Sequence, residues 1–438
     1  MPSFSGLKRW LRQPSKHRVA VLAVCSVVLL SLALVGFVSA NTPHMAVNSD
    51  PPERNTLIGL QSYHNDGRAL EVTPNGTVVW EYSTVENVFD VEALSPNRVQ
   101  IAGADALPDR KCPERFVDDG FAGCAYNSVR IVSQETNETR WKYGWYDVER
   151  HEHELHDVDH YTVAGEDRWV LVDMGNDRVF AIDRSGKILW QWNANSTYDR
   201  PPSIGVEDDW THMNDVDRIG KRTFQVSLRN FDTVVELRVA PNGSVSVTPL
   251  VGPNRFTPEG SAGPLAAQHN PDRLAEGHLL VADSENDRVV EFNSDGDIVW
   301  EVGGSGRFDW PRDADRLSNG HTLITDSYNG RIVEVNSQGK IVWALETKDL
   351  PYEADRIPRD GAGEGSTPRP IANGETFDSR TNATNSIVNT LQYGATLVKY
   401  TVPGWLGSPG LLLGGVLCGL GALIETRRWR RTMNEKET

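Results

Sequence analysis

One phrase recurs along this chain. Gly67-Arg68 leads to Gly76-Thr77-Val78-Val79-Trp80, Asp177-Arg178 to Gly186-Lys187-Ile188-Leu189-Trp190, Asp287-Arg288 to Gly296-Asp297-Ile298-Val299-Trp300, and Gly330-Arg331 to Gly339-Lys340-Ile341-Val342-Trp343. A degenerate copy runs from Ser128 to Trp141. Each copy reads as two short alternating strands around an Asn/Asp/Ser-Gly turn. A hairpin of this size cannot bury its apolar face alone, so the copies must stack as a β-propeller or a solenoid.

The strand ahead of each hairpin separates those two options. An acidic signature recurs there: Asp90-Val91-Glu92, Asp157-Val158-Asp159, Asp215-Val216-Asp217, Asn270-Pro271-Asp272, Asp313-Ala314-Asp315 and Glu353-Ala354-Asp355. The last copy has no hairpin after it, and the hairpin from Thr56 to Glu81 has no acidic strand before it. A closed ring supplies both missing pieces, with the strand near Glu353–Ile357 completing the first blade. The expected fold is therefore all-β, a six-bladed β-propeller over residues 55–357 with strand-exchange closure, which leaves only short protected edges.

Two apolar segments are expected to flank the ring as transmembrane helices. Residues 19–40 are uncharged and follow Lys8, Arg9, Arg12, Lys16 and Arg18; residues 404–424 are Gly/Leu-rich and precede Arg427, Arg428, Arg430 and Arg431. The basic flanks, residues 1–18 and 425–438, should stay in the cytoplasm, placing the ring outside the cell membrane. Val38-Ser39-Ala40 also resembles a signal-peptide cleavage site, which exports the ring equally well. Residues 358–385 read as a flexible linker, and residues 386–402 as a membrane-proximal or ordinary linker helix.

Ten of the 44 Lys+Arg but only three of the 60 Asp+Glu lie outside residues 41–403, so that segment carries a net charge of −23. No basic stripe exists to neutralise phosphates, which argues against a nucleic-acid partner. So acidic a surface suits a high-salt habitat. Cys25 and Cys418 sit in the apolar segments, leaving Cys112 and Cys124 as an exported pair that brackets an insertion in the second blade and suits a disulfide. Glycosylation sequons fall at Asn75, Asn137, Asn195, Asn242 and Asn382, all in expected turns or loops.

In a repeat, shared residues mostly build the scaffold, so function is sought where one blade departs from its siblings. The signature carboxylates are expected to make blade-to-blade ion pairs and turn hydrogen bonds, or to bind cations along the channel. The residue before the first carboxylate varies: Phe89, His156, Asn214, His269, Arg312, Tyr352. These six should form a ring at one channel mouth. His212 lies two residues ahead of Asn214 on the same side of an extended strand, and Arg229 sits in the return turn of that blade. Imidazoles and guanidiniums converging on an acidic molecule suit an anion such as sulfate, phosphate or carboxylate. Arg288 shares its repeat position with Arg68, Arg178 and Arg331, which favours a scaffold role. The tract His151-Glu152-His153-Glu154-Leu155-His156-Asp157-Val158-Asp159-His160 resembles a metal-binding run, but its extended spacing is not the helical His-Glu-x-x-His motif, and no metal or cofactor is assigned. His321, at the far end of its blade, is expected to matter little.

At Thr211-His212-Met213-Asn214, Ser227-Leu228-Arg229, Ala267-Gln268-His269 and Asp283-Ser284-Glu285-Asn286-Asp287-Arg288 the chain resembles the arylsulfotransferase family. The resemblance covers about residues 55–357 and implies a six-bladed propeller that moves a sulfuryl group from a phenolic sulfate to a phenol through a histidine. By position it implies catalytic roles for His212, Arg229, His269 and Arg288. The family nucleophile falls where this chain has Thr325-Asp326-Ser327-Tyr328, which leaves His156 and His64 as substitutes, with Arg312, Tyr352 and Asn214 binding substrate. The alternatives are a non-catalytic propeller that binds an anionic ligand or a partner protein, and a quinone-dependent dehydrogenase suggested by the repeated Trp.

Overall fold

The computed structural model describes residues 19–27, 52–62, 67–118, 123–148, 153–205, 208–253, 263–304, 306–347, 349–357 and 370, with a few positions between 416 and 426. The chain divides into two compact units, one of residues 45–386 and one of residues 1–44 with 387–438. In the larger unit, period-two sequences form strands in the order the repeats require. The first seven are β1 (Thr56–Gln61), β2 (Gly67–Val72), β3 (Val78–Val85), β4 (Asn87–Ser95), β5 (Arg98–Pro108), β6 (Gly123–Ser133) and β7 (Thr139–Val148). Next come β8 (Val158–Val163), β9 (Glu166–Asp173), β10 (Arg178–Asp183) and β11 (Ile188–Asn193), then β12 (Met213–Gly220), β13 (Thr223–Leu228), β14 (Thr233–Val239) and β15 (Val245–Val251). The rest are β16 (His269–Arg273), β17 (Leu279–Asp283), β18 (Arg288–Phe292), β19 (Ile298–Gly303), β20 (Pro311–Arg316), β21 (Thr322–Asp326), β22 (Arg331–Val335), β23 (Ile341–Glu346) and β24 (Leu350–Arg356).

The fold is all-β and propeller-like. Strands β8 to β23 make four antiparallel four-stranded sheets, each of consecutive strands. An eight-stranded sheet holds β1 to β7 in the order β3-β2-β1-β4-β5-β6-β7, where β1 meets β4 only at Gln61–Asn87. Strand β24 returns to β1, pairing Thr56 with Arg356 and Gln61 with Leu350. Burial follows position in the sheet: β1 and β17 are buried throughout, whereas β3 alternates and exposes Val78 and Val79. The hairpin β14–β15 lacks both the Arg and the Trp of the repeated phrase, and it folds the same way because its apolar alternation and its Pro241-Asn242-Gly243 turn are intact.

Four of the repeated Trp residues each tie one hairpin to another. Trp80 Nε1 donates to Asn137 Oδ1 (2.7 Å), Trp141 to Arg184 O (2.9 Å), Trp300 to Ser337 O (3.1 Å) and Trp343 to Pro74 O (2.8 Å). The last of these joins the final hairpin to the first. An aromatic of this size buries on the order of 150–250 Å² and keeps its polar edge satisfied this way. Buried ion pairs repeat the theme, Arg316 Nη2 to Glu291 Oε2 and Arg356 Nη2 to Glu334 Oε2, each at 2.8 Å. His278 and His321 brace the same glutamates through Nδ1, at 2.8 and 2.7 Å. His321 therefore has a structural partner that its place in a turn did not suggest.

The insertion between β5 and β6 carries the Cys112–Cys124 disulfide and the short helix Glu114–Asp118. Phe116, Cys124 and Val148 form its small apolar core. Asn75, Asn137, Asn195 and Asn242 lie exposed in turns or loops. Asn137 is also built into the scaffold, because its Nδ2 donates to Glu81 O at 3.2 Å. Asn382 lies outside the described residues, as do the linker 358–385 except Pro370 and the segment 386–402. In the smaller unit, residues 19–27 are helical and expose Val21, Val24 and Val27, and Leu420, Leu423 and Ile424 are exposed helical positions. Among the described residues no helix is long and apolar enough to cross a membrane, and most of the two expected spans lies outside those residues.

Candidate functional site

Ahead of three inner strands the chain passes through a left-handed residue two positions before the mouth residue: His212 (φ 44°), Ala267 (φ 48°) and Trp310 (φ 54°). Such a conformation costs about 1–3 kcal/mol in a non-glycine residue unless its surroundings fix it. A left-handed aspartate of the preceding sheet does so. Asp177 Oδ1 accepts from the amide and hydroxyl of Thr211 (3.0 and 2.6 Å), Asp232 from the Ala267 amide (2.8 Å) and Asp287 from the Trp310 amide (3.1 Å). The turn presents one side chain per sheet, a histidine, a methyl group and an indole.

Below these side chains the variable ring closes on itself. Phe89 stacks on His156 (centroids 4.5 Å apart) and meets Tyr352 edge-on at 5.1 Å. His156 lies 5.4 Å from Tyr352 and 5.7 Å from His212, and Tyr352 lies 6.1 Å from His269. The Arg312 guanidinium covers both Trp310 (4.2 Å) and Tyr352 (4.6 Å), and its Nη1 donates to Gln61 Oε1. Asn214 Nδ2 donates to Gln268 O (2.9 Å), and its buried Oδ1 has no partner among the described residues. Arg229 Nη1 donates to Asn230 Oδ1 (2.9 Å), while its Nε has no partner among the described residues.

Hydrogen bonding sets the histidine tautomers. His269 Nδ1 sits 3.1 Å from Ala267 O and 2.8 Å from Ser284 Oγ, whose own proton goes to Pro311 O at 2.7 Å. A carbonyl cannot donate, so Nδ1 carries the proton and Nε2 keeps its lone pair. Burial, reinforced by Arg312, Arg229, His212 and His156, pushes His269 well below the usual imidazole range and leaves it neutral. Burial also holds His156 down to about 4, against the opposing Glu154 contact. His156 Nδ1 accepts from Tyr352 Oη at 2.8 Å, and burial raises the Tyr352 phenol. His212 Nδ1 meets Asp209 Oδ2 at 2.7 Å, and no described residue bonds its Nε2. Burial works against the Asp209 carboxylate, but hydrogen bonds from His212 and Asn230 and the charges of His212 and Arg229 outweigh it and lower its pKa.

Of the candidates, His156, His212, His269, Arg229, Arg312, Tyr352 and Asn214 belong to this mouth. Arg288 does not: its guanidinium is held by Asp283 (2.7 Å), Glu301 (2.8 Å) and Pro264 O (3.0 Å), and Arg178 and Arg331 hold Asp173 and Asp326 the same way. His64 lies outside the described residues. In the segment 325–328 Asp326 is bound to Arg331 and Asn329, and Thr325 Oγ1 donates to Asp313 at 3.3 Å. In the histidine-rich tract, His153 Nδ1 pairs with Asp147 (3.0 Å) and Glu154 accepts from Asn87 (3.2 Å). Gly175 is required beside that tract, because a Cβ there would lie 2.3 Å from His153 Nδ1. Among the described residues no three His, Cys, Asp or Glu side chains are placed to hold a metal ion. Sequence reasoning missed Asp209, Ser284, Trp310 and Tyr328, the last two stacked at 4.5 Å.

Inward of the mouth the signature carboxylates take up backbone amides of the next inner strand. Glu353 accepts from Val91 N (2.9 Å), Asp157 from Val216 N (2.7 Å), Asp159 from Arg218 N (2.6 Å) and Asp313 from Ala354 N (3.1 Å). Inner strands do not ladder with one another, so a side chain must satisfy those edge N–H groups. Ion pairs between sheets are made by the third-strand glutamates Glu291 and Glu334 with Arg316 and Arg356, and the charges of Asp272 and Asp315 act on the same two guanidiniums. Burial raises Asp157, Asp159 and Asp313 to about 7 and, together with repulsion from neighbouring carboxylates, Asp90, Glu92, Asp215, Asp217 and Glu353 well above the carboxylate range.

No protein-family model matches the chain, and no curated protein matches it. Solved structures similar to it include a protein of unknown function from Bacteroides caccae, at 15% identity and a TM-score of 0.45, covering 69% of this chain and 97% of that one. The periplasmic gluconolactonase of Pseudomonas aeruginosa matches at 13% identity and a TM-score of 0.42, covering 69% and 98%. A streptogramin B lyase matches at 10% identity and a TM-score of 0.38, covering 73% and 88%. These values assign no activity to the chain.

Proposed function

We propose that the protein is an arylsulfotransferase-like enzyme that moves a sulfuryl group from a phenolic sulfate ester to a phenol at the propeller mouth. The observation that carries this is the pairing of two histidines whose Nε2 atoms are bonded by no described residue, His212 and His269, with the Arg312 and Arg229 guanidiniums close enough to add to the depression that burial imposes on His269. A sulfate ester needs a cationic clamp for its oxygens, a neutral imidazole to attack sulfur, and an acid/base for the phenol oxygen. Trp310, Tyr328 and Tyr352 supply aromatic surface beside that clamp.

The same reading takes the eight-stranded sheet as two blades, since β1 and β4 share one residue pair, so that β24-β1-β2-β3 closes a six-bladed ring. It places the ring outside the cell on two spans, as a glycoprotein adapted to salt, with cytoplasmic termini. The basic flanks, the apolar exposed positions of the terminal helices and the disulfide support this. A second reading, an anion-binding propeller without catalysis, is favoured by Asp326, paired with Arg331, standing in the segment 325–328 where the resemblance implies a histidine. Full-length protein incubated with a chromogenic aryl sulfate and a phenol in high salt separates them. Transfer supports the enzyme; tight binding of the sulfate without transfer supports the binding protein.

A further inference from the structure

The three mouth histidines are not equivalent, and their surroundings sort them. Nucleophilic attack by a neutral imidazole at sulfur leaves the ring cationic while the N–S bond exists, so the attacking residue needs an open Nε2, a proton on Nδ1 and an anion behind that proton. His156 fails the first condition, since its Nδ1 is taken by Tyr352 Oη at 2.8 Å and its Nε2 faces Glu154 at 3.9 Å. His269 fails the third: neutral oxygens of Ala267 and Ser284 stand behind its Nδ1, and the charged groups around it are Arg312 and Arg229. His212 meets all three. Its Nδ1 lies 2.7 Å from the Asp209 carboxylate, no described residue bonds its Nε2, and its side chain is 17% exposed where the other two are almost sealed.

Resting on the sulfuryl-transfer reading, we propose that His212 Nε2 is the nucleophile and that Asp209 is the positioning residue that makes it one. Nε2 forms the bond to sulfur as the bond from sulfur to the aryl oxygen breaks; the oxygen leaves with the electron pair and takes a proton from water. The acceptor phenol then gives its proton to His269 Nε2 and attacks sulfur. The N–S bond returns its pair to His212, and His269 releases the proton to water. Asp209 is itself held by Asn230, which Arg229 bonds at 2.9 Å, so clamp and nucleophile share one scaffold. The left-handed turn at His212, fixed through Thr211 by Asp177, brings residues three apart face to face.

Full-length protein treated with a chromogenic aryl sulfate without acceptor, quenched in alkali and mapped by mass spectrometry, should carry one sulfuryl group on the peptide containing His212. Asp209→Asn should lower turnover roughly 10²-fold or more, because an amide can offer its own N–H to Nδ1 and leave the proton on Nε2, the wrong tautomer. Its KM should change little, and Asp209→Glu should recover part of the rate. Nitrogen-15 spectra of the histidines read the tautomer without any turnover: the Nδ1–H form of His212 in the wild type should shift to Nε2–H in Asp209→Asn. A sulfuryl group on His269 or His156 would overturn the assignment and leave sulfuryl transfer intact. An unchanged tautomer in Asp209→Asn would overturn the role of Asp209. No adduct and no transfer would overturn the sulfuryl-transfer reading together with the assignment.

Discussion

Glu334→Gln tests how the ring is closed. Glu334, on β22, takes Arg356 of β24 on one oxygen (2.8 Å) and His321 on the other (2.7 Å), with the ion-pair side chains only 4% and 3% exposed. The glutamine keeps the shape and removes the charge, which leaves the buried guanidinium without this carboxylate, bonded to the neutral oxygens of Thr56 and Arg54. Burial lowers the Arg356 pKa only to about 10, so the group stays cationic at neutral pH. Breaking one side of a buried pair costs about 3–5 kcal/mol. In a domain of this size each kcal/mol is worth about 2–4 °C, so the melting temperature should drop by roughly 6–20 °C. Glu301→Gln is the comparison: its partner Arg288 is one-quarter exposed and keeps Asp283, so the loss should be under about 1 kcal/mol. Thermal unfolding of the full-length protein by circular dichroism reads both variants. A Glu334→Gln melt within about 2 °C of wild type would refute the idea that this pair locks the returning strand.

Four further outcomes are expected. His269→Ala should lower aryl sulfate turnover by roughly 10²-fold or more, whereas His321→Ala should keep turnover and lose melting temperature, because it unbraces Glu334; equal turnover in the two would contradict the mouth assignment. The channel carboxylates raised to about 7 hold protons in the folded state that the unfolded chain releases near 4, so stability should fall as pH rises from about 4 through 7. A melting temperature in dilute buffer that climbs between pH 5 and pH 8 would contradict that sign. Reducing Cys112–Cys124 should expose its loop to protease and leave the sheets melting within a few degrees, since the staple closes an insertion between β5 and β6; global unfolding on reduction would show that the insertion carries more. Protease added to intact cells should remove the ring and spare short anchored tails, and a protected ring would refute the topology.

The sheet order was legible because the period-two alternation and Asn/Asp/Ser-Gly turns repeat, and because the acidic strand and the unpaired hairpin lie at opposite ends of the repeat. The mouth was legible for the same reason: register carries the residue before each carboxylate to one level, and Phe89, His156, His269 and Tyr352 do touch. What escaped depends on contacts that no period encodes. Asp209 reaches His212 only because the backbone turns left-handed there, and Trp310 reaches His269 through the same turn in another sheet. Ser284 sits inside a scaffold motif, and its hydroxyl fixes a histidine tautomer from a position that looked structural. The carboxylates were expected to make blade-to-blade ion pairs and turn hydrogen bonds; that several of them also take up the unladdered edge amides of the next inner strand is a contact no period encodes.

The account rests most directly on transfer at the mouth. Full-length wild-type protein given a chromogenic aryl sulfate in high salt should release the coloured phenol beyond one equivalent of protein only when a second phenol is present to accept the group, and the acceptor should be recovered as its sulfate ester. Release that is unaffected by acceptor, or none at all from protein that binds the aryl sulfate, would contradict sulfuryl transfer and leave an anion-binding propeller in its place.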